Sequence, residues 1–319
     1  MKRILTLVLA LVLLCSSCLA LAACGTTTYT VGICQLVPHA ALDAATKGFK
    51  DALEAELGKG NVTFLEQNAG GDDTVCSTIV TDFVSKNVNL IMANATAALA
   101  AAANATTTIP ILGTSVTDYA TALNMTVTDG LTGRNISGTS DLVSLEDQAK
   151  LTAELYPAAT HQKVALLYCS AEENSKFQAD GIKPLLESRG YTVDTFTYSE
   201  INDMGSVAQA ASAWADVIYV PTDNMAAENG TIILQNIGSD PLIAGEEGIC
   251  SLCGVATLAI SYYDLGYATG KMAAKILKGE AKVEEMPIET VSPTKKYNAS
   301  RASALGMTVP EGFVAIGAN

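Results

Sequence analysis

The chain has 319 residues, 33 acidic and 19 basic side chains, and a formal net charge of −14. Such an acidic balance argues against nucleic acid and against anionic lipid headgroups as partners. Apolar residues make up 49 % of the chain, with few aromatics, a composition that suits layered α/β packing over two compact domains and not a small disulfide scaffold.

Lys2 and Arg3 precede the apolar run Ile4–Leu14. This is the charged n-region and h-region of a secretory signal, too short to span a bilayer. Leu21-Ala22-Ala23-Cys24 follows and resembles the lipobox of bacterial lipoproteins, which implies that Cys24 becomes the lipidated N-terminus and that residues 1–23 are removed. Two acyl chains on Cys24 suffice for stable anchoring. The mature protein is then extracytoplasmic and tethered to the cell membrane. Loss of the leader also removes two positive charges and no acid, so the mature surface is more acidic still.

After a linker at 24–28, the spacing predicts a strand at Tyr29–Cys34 and a helix at Ala40–Leu57, with Leu42, Ala45, Phe49 and Leu53 on its apolar face. A strand at Asn61–Gln67 follows, then a helix at 74–86 that Asp72 or Asp73 caps and that presents Val75, Ile79 and Phe83. Leu90–Ala93 reads as a strand, 96–104 as an Ala-rich helix and Ile109–Leu112 as a fourth strand. This β-α alternation is the pattern of a parallel sheet covered by helices. The cycle restarts with helices at Leu142–Tyr156, Glu172–Ser188, Met204–Ala213 and Met225–Ile237, which alternate with strands at Val164–Tyr168, Tyr191–Phe196, Val217–Val220 and Leu242–Ala244. Residues 87–98 match 215–226 in kind, and 109–118 match 240–248, so the two halves repeat. Two crossings connect them: Gly133–Asp141, and a strand at Thr257–Ser261 that runs into a helix ending at Leu277. Lys278-Gly279 supplies the cation and glycine expected at that helix's end. The remainder reads as a Pro-punctuated tail with one short helix near 299–305.

Beyond Cys24 there are five cysteines, at 34, 76, 169, 250 and 253. An odd number at irregular spacing is no disulfide framework. Cys250-Ser-Leu-Cys253 is a lone C-x-x-C in a Gly-rich stretch read as loop. With only His39 and His161 available, it lacks the partners of a zinc site. Free thiols or one local disulfide remain. No G-x-S-x-G, G-x-x-x-x-G-K-[ST] or H-E-x-x-H occurs. The expectation is a protein with no catalytic residue, no metal and no cofactor.

The most telling stretch is Asp216–Met225. Val217–Val220 is a buried strand that Pro221 stops, which leaves Thr222, Asp223 and Asn224 at its carboxyl end, where ligands bind in open α/β sheets. A carboxylate flanked by a hydroxyl and an amide can hold an ammonium group, and it can equally cap the next helix.

Four segments together resemble the substrate-binding lipoproteins of ABC importers, in the group that includes tryptophan- and tyrosine-binding members: Val31-Gly-Ile-Cys-Gln-Leu-Val-Pro-His-Ala-Ala-Leu-Asp43, Val220-Pro-Thr-Asp-Asn224, Ile243-Ala-Gly-Glu-Glu-Gly248 and Ile260-Ser-Tyr-Tyr-Asp-Leu-Gly-Tyr-Ala-Thr-Gly-Lys-Met-Ala273. The likeness spans about residues 29–312. It implies an α/β fold of the type I periplasmic-binding class, with two Rossmann-like lobes joined by three hinge strands that close on a small ligand. Lobe 1 is then 29–138 with 262–285 returning to it, and lobe 2 is 139–261 with 286–319. Pro38 stands where the family has an acidic residue before His39, and Thr117-Asp118 is followed by Tyr119 where the family has proline. The stretch 225–240 is also shorter than in the family. These are cleft segments, so the ligand can differ from tryptophan.

An amino acid needs an anion site, a cation site and a side-chain pocket. Hydroxyls and N–H groups at helix N-termini serve carboxylates, and Thr96, Thr114, Ser115, Ser170 and Ser175 follow or end strands. Asp223, and after it Glu246, are the candidates for the ammonium. Gln35, His39, Asn174, Thr222 and Asn224 add polar contacts, with His39 equally suited to capping its helix. Tyr168, Tyr119 and Tyr262 can wall an apolar pocket, and Tyr262 can equally pack at a hinge. Trp214 reads as core. The reading is a monomeric receptor that delivers an L-amino acid, aromatic or branched-chain, to an ABC permease. The alternatives are a nucleoside receptor of the same fold, although the aspartate-asparagine ribose signature is absent near 33–45, and a sensor that presents its closed form to a signalling partner.

Overall fold

A computed structural model of the chain describes residues 28–317. The leader and Cys24 lie outside the described residues. The first sheet contains β1 (Tyr29–Gln35), β2 (Val62–Asn68), β3 (Leu90–Asn94), β4 (Ile111–Val116) and β5 (Ile136–Ser140). These are ordered β2-β1-β3-β4-β5 and are parallel throughout. Its connecting helices are α1 (Ala40–Leu57), α2 (Asp73–Ser85), α3 (Thr96–Ala105) and the short α4 (Tyr119–Leu123).

The chain then crosses to α5 (Leu145–Leu155), and the second unit alternates β6 (Lys163–Cys169), α6 (Glu173–Glu187), β7 (Thr192–Tyr198), α7 (Ile201–Trp214), β8 (Val217–Val220), α8 (Asn224–Ile237), β9 (Leu242–Ala244), α9 (Glu247–Leu252) and β10 (Ala256–Ala259). After α10 (Tyr262–Leu277) come β11 (Thr294–Tyr297), α11 (Ala299–Ala304) and β12 (Val314–Ala315). The second sheet runs β12-β11-β10-β9-β8-β6-β7, parallel except where β11 pairs antiparallel with β10. Its portion β7-β6-β8-β9-β10 repeats the first sheet's order, and β3 and β8, whose residues are similar in kind, hold equivalent places.

Strands buried on both faces need apolar residues on both, and β3, β4, β8 and β9 are buried at every position. Apolar clusters accordingly lie on each side of each sheet. Phe49 is one of the largest fully buried side chains, and burial of a residue of that size contributes about 1.5–3 kcal/mol.

Helix α10 leaves the second sheet and packs on the first, against α1 and strands β4 and β5. Glycines make this possible. A Cβ on Gly266 would run into the Ala45 carbonyl, and one on Gly48 into the Tyr263 carbonyl. Replacing Gly266 with alanine would force the two helices apart. The crossings between the sheets lie side by side. Ser140 N donates to Glu289 O at 2.8 Å and Glu289 N donates to Gly138 O at 2.9 Å, which ties the end of β5 to the segment before β11.

Several expectations change. Residues 136–140, read as part of a crossing, form the parallel edge strand β5. Residues 294–297, read as tail, form β11. The C-x-x-C stretch, read as loop, is helix α9 with Cys253 at its C-cap, because Glu246 supplies the helix's N-cap. All five described cysteines are buried free thiols. Val75 faces solvent, 38 % exposed, so the apolar face of α2 is Cys76, Ile79, Val80 and Phe83. Trp214 is only partly buried, at the periphery of the core beside Phe196 and under the Lys163 ammonium.

Candidate functional site

The carboxyl ends of the two sheets face one another across a small chamber. It is lined by His39, Leu42, Ser115 and Thr117 from the first unit, Asp141 and Tyr262 from the crossings, and Asn174, Thr222, Asp223, Asn224, Ala227 and Glu246 from the second. Its volume is about 10 Å³, room for one water molecule. A larger groove of about 520 Å³ lies outside it, shares Asn174 and Asn224 with it, and is lined by Thr96, Ala97, Ala100, Glu172 and Met225 among others. No lysine or arginine lines either space among the described residues.

Four acidic side chains surround this region, and their partners separate them into two kinds. Asp223 is fully buried and caps α8. Its Oδ1 accepts from Ala226 N at 2.8 Å and from the Tyr198 hydroxyl at 3.1 Å, and its Oδ2 accepts from Cys169 N at 2.6 Å. Glu172 meets the same helix end. It accepts from Asn224 N at 2.9 Å, Met225 N at 2.9 Å, Asn224 Nδ2 at 2.7 Å and Asn174 Nδ2 at 3.2 Å. These donors leave neither carboxylate much capacity for a ligand.

Asp141 is different. It is 5 % exposed and its only side-chain partners are hydroxyls, Thr117 Oγ1 to Oδ1 at 3.0 Å and Tyr262 OH to Oδ2 at 2.8 Å. A carboxylate has about four acceptor positions, so half remain open. Burial raises its pKa, against the lowering effect of the two hydroxyls. Glu246, 2 % exposed, accepts from Gly248 N at 2.6 Å and from Ile249 N. Burial pushes it up to about 7, with Asp141 one of the charges that raise it further. Two buried carboxylates facing one chamber with no cation resist ionising together.

The first unit contributes unpartnered polar atoms. Ser115 Oγ, Thr96 Oγ1 and His39 Nδ1 are buried without a hydrogen-bond partner among the described residues. Ser115 has φ 55° and Ala95, the N-cap of α3, has φ 95° with no side-chain cap. Left-handed backbone at such residues concentrates at functional sites. His39 Nε2 lies 3.3 Å from Asn224 Oδ1, across the chamber, and burial lowers its pKa.

Of the residues singled out from sequence, His39, Ser115, Asn174, Thr222, Asp223, Asn224 and Glu246 come together at the chamber, and Thr96 faces the outer groove. Tyr262, expected as a pocket wall or hinge packing, also lines the chamber, and the others lie apart from both spaces. The Gln35 amide is occupied by Asp43, Thr46 and Val37 O beneath a surface crevice on α1. Thr114 bonds Thr139 at 3.2 Å inside the first sheet. Ser170 is exposed and bonds Tyr198 O at 3.2 Å. Ser175 is buried and holds Thr222 O at 3.2 Å. Tyr168 packs into the second unit's core, and Tyr119 packs into the first, its hydroxyl on Thr139 O at 3.1 Å. Asp141 and Thr117 also line the chamber, and the sequence reading does not single them out as ligand-binding candidates. Reading 136–140 as a strand would have placed Asp141 one residue past a sheet's carboxyl end, the same position that drew attention to the 222–224 segment.

Residues 30–318 match the model of the family described as ABC transporter substrate binding protein. The chain belongs to that family. It is 36 % identical over 269 residues to the tyrosine-binding protein of Clostridioides difficile (strain R20291), a match that covers 83 % of this chain and 77 % of that protein. Among solved structures, it matches the ABC domain in complex with L-Trp from Streptococcus pneumonia with 30 % identity and a TM-score of 0.84, over 91 % of this chain and 100 % of that one. It also matches the ligand-free, open structure of a substrate binding protein with adhesive properties from Clostridium difficile, with 36 % identity and a TM-score of 0.70, over 91 % and 99 % of the two chains. The fold is therefore that of type I periplasmic binding proteins, with two lobes and the chamber between them. As a member of this family the chain is a solute-binding protein, and Asp141, which lines the chamber, has only hydroxyls as side-chain partners among the described residues.

Proposed function

We propose that this solute-binding protein is extracytoplasmic, is anchored through lipid on Cys24, and closes as a monomer on an L-amino acid, aromatic or branched-chain, which it hands unchanged to an ABC permease. The observation that carries the ligand class is the Asp141–Glu246 pair, two buried carboxylates at one chamber that no lysine or arginine lines among the described residues. In this reading the ligand's ammonium binds Asp141, with Glu246 adding to the field. Its carboxylate binds the unpartnered hydroxyls of Ser115 and Thr96 and the N-terminus of α3. Leu42, Ala227 and the Tyr262 ring wall the side chain. The relatives named for tyrosine and bound to L-Trp support the class.

As it stands the chamber has room for one water, so both entry and seating of an amino acid need its walls to move apart from this closed arrangement, which the crossings between the lobes permit. Closure is supported by the scores above: the match is better to the L-Trp complex, at 0.84, than to the open structure, at 0.70, although the latter is more similar in sequence. The boundary expected at 138/139 falls inside β5 of the first sheet, so we propose lobe boundaries at 140/141, 261/262 and 285/286. A nucleoside brings no cation to Asp141, which disfavours that alternative.

The test is a thermal-shift screen of the lipid-free mature chain against amino acids, nucleosides and short peptides. A ligand at ~100 times its dissociation constant adds about 2.7 kcal/mol. The expected hits are tyrosine, tryptophan or branched-chain amino acids. A shift with nucleosides alone would overturn the ligand class.

A further inference from the structure

We infer that Gln178 is a positioning residue for the ligand's ammonium group, acting from the second lobe through Thr117 on Asp141. The inference rests on the reading that Asp141 holds that ammonium. Gln178 lies on α6, is 4 % exposed, and does not line the chamber. Its Oε1 accepts from Thr222 N at 3.2 Å, and its Nε2 donates to Asn174 O at 3.2 Å and to Thr117 Oγ1 at 3.2 Å. Thr117 belongs to the first lobe, one residue past β4. Its hydroxyl in turn donates to Asp141 Oδ1 at 3.0 Å.

A hydroxyl has one proton and two acceptor positions. While Thr117 Oγ1 accepts from Gln178, its own proton is committed to Asp141. The Tyr262 hydroxyl fixes the other carboxylate oxygen at 2.8 Å from the second crossing. The carboxylate is thus held from both sides, and one of the two holds, the Thr117 hydroxyl of the first lobe, is itself fixed from α6 of the second. Neighbouring hydrogen bonds in such a chain polarise one another. The Gln178–Thr117 bond spans the lobes, so it exists only when they are together. The carboxylate is therefore oriented by closure itself, after the ligand has entered. His39 and Asn224 meet across the same gap at 3.3 Å, but Asn224 leads to Glu172 and the α8 cap and not to Asp141.

A contact made only on closure leaves association alone and slows release. Stopped-flow fluorescence with tyrosine or tryptophan as probe reads both rates. Gln178→Met is expected to raise koff about tenfold with kon unchanged within twofold. Gln178→Glu, measured above pH 8, keeps the acceptor for Thr222 N, loses the donor, and is expected to do the same, which covers the case of a Met variant that folds poorly. In a Thr117→Val background Gln178→Met is expected to add nothing further. A role confined to packing within the second lobe predicts additive effects or an unchanged koff, and either result overturns the inference. Wild-type chain that binds no amino acid overturns the reading beneath it and the inference together, so the two failures are distinct.

Discussion

The N-terminal end of α8 and the Asp141 side of the chamber hold the same chemistry, buried carboxylates a few residues past strand ends, and use it in opposite ways. At α8, Asp223 and Glu172 meet a ring of backbone and side-chain donors that are fixed in place. At Asp141 the donors are two hydroxyls, and half of the carboxylate's acceptor capacity faces the chamber. Burial and position along the chain do not distinguish these groups, since Asp223 is 0 % exposed and Asp141 5 %. What distinguishes them is how many donors the protein itself supplies. Asp223, saturated by the fold, caps a helix, whereas the proposal above has the half-satisfied Asp141 take a cation from the ligand.

The contrast is broken most severely by Asp141→Asn. This change removes the open charge and is expected to weaken amino-acid binding at least ~100-fold, about 3 kcal/mol, in the range for truncating a buried charge partner. Ligand-free thermal stability should hold or rise, because a buried carboxylate without a cation is lost. Equilibrium titration and a melting curve on the same sample check both halves.

Asp223→Ala should do the reverse. It removes a helix cap and strands Cys169 N and the Tyr198 hydroxyl, for an expected loss of roughly 2–4 kcal/mol. Ligand affinity should stay within fivefold. Urea denaturation reads the first number and titration the second.

The pH dependence sharpens the comparison further. Glu246 is pushed up to about 7 from an ordinary 4.5, so between those values the unfolded chain has released this proton and the folded chain still holds it. Ligand-free stability should therefore fall as pH rises from about 4.5 to 7, by no more than ~3.4 kcal/mol at 1.36 kcal/mol per unit. Affinity for a cationic group should rise across the same window. Glu246→Gln is expected to flatten that part of both curves. The smallest effect belongs to Ser170→Ala. Ser170 is exposed and apart from the chamber, so affinity should not move and stability should change by less than about 0.5 kcal/mol.

The two-lobed architecture was readable from sequence because apolar strands and amphipathic helices alternate twice in the same order. β8 and β9 fall at the residues expected, and α1 spans Ala40–Leu57 as its periodicity predicts. What escaped was the short, polar or edge-located structure. Ile136–Ser140 carries serine, glycine and threonine, and pairs only with β4 in its sheet. Thr294–Tyr297 is charged and half-exposed. Neither has the β-branched apolar signature of a central strand. Asp141 was hidden with β5, and Gln178 because a glutamine in the middle of a helix gives no sign of which lobe it will touch. The 222–224 segment was found by its position, but only the partners of Asp223 reveal that its charge is spent on the helix.

The decisive measurement pairs ligand and protein changes on the same group. Tyrosine or tryptophan and its Nα-acetyl derivative would be titrated calorimetrically into wild-type chain and into Asp141→Asn at neutral pH. If Asp141 holds the ammonium, acetylation abolishes tight binding to wild type, and the variant binds both compounds equally weakly. Tight binding of the acetylated compound to wild type, or full discrimination retained by the variant, would contradict that assignment and return the cation site to another carboxylate of the chamber.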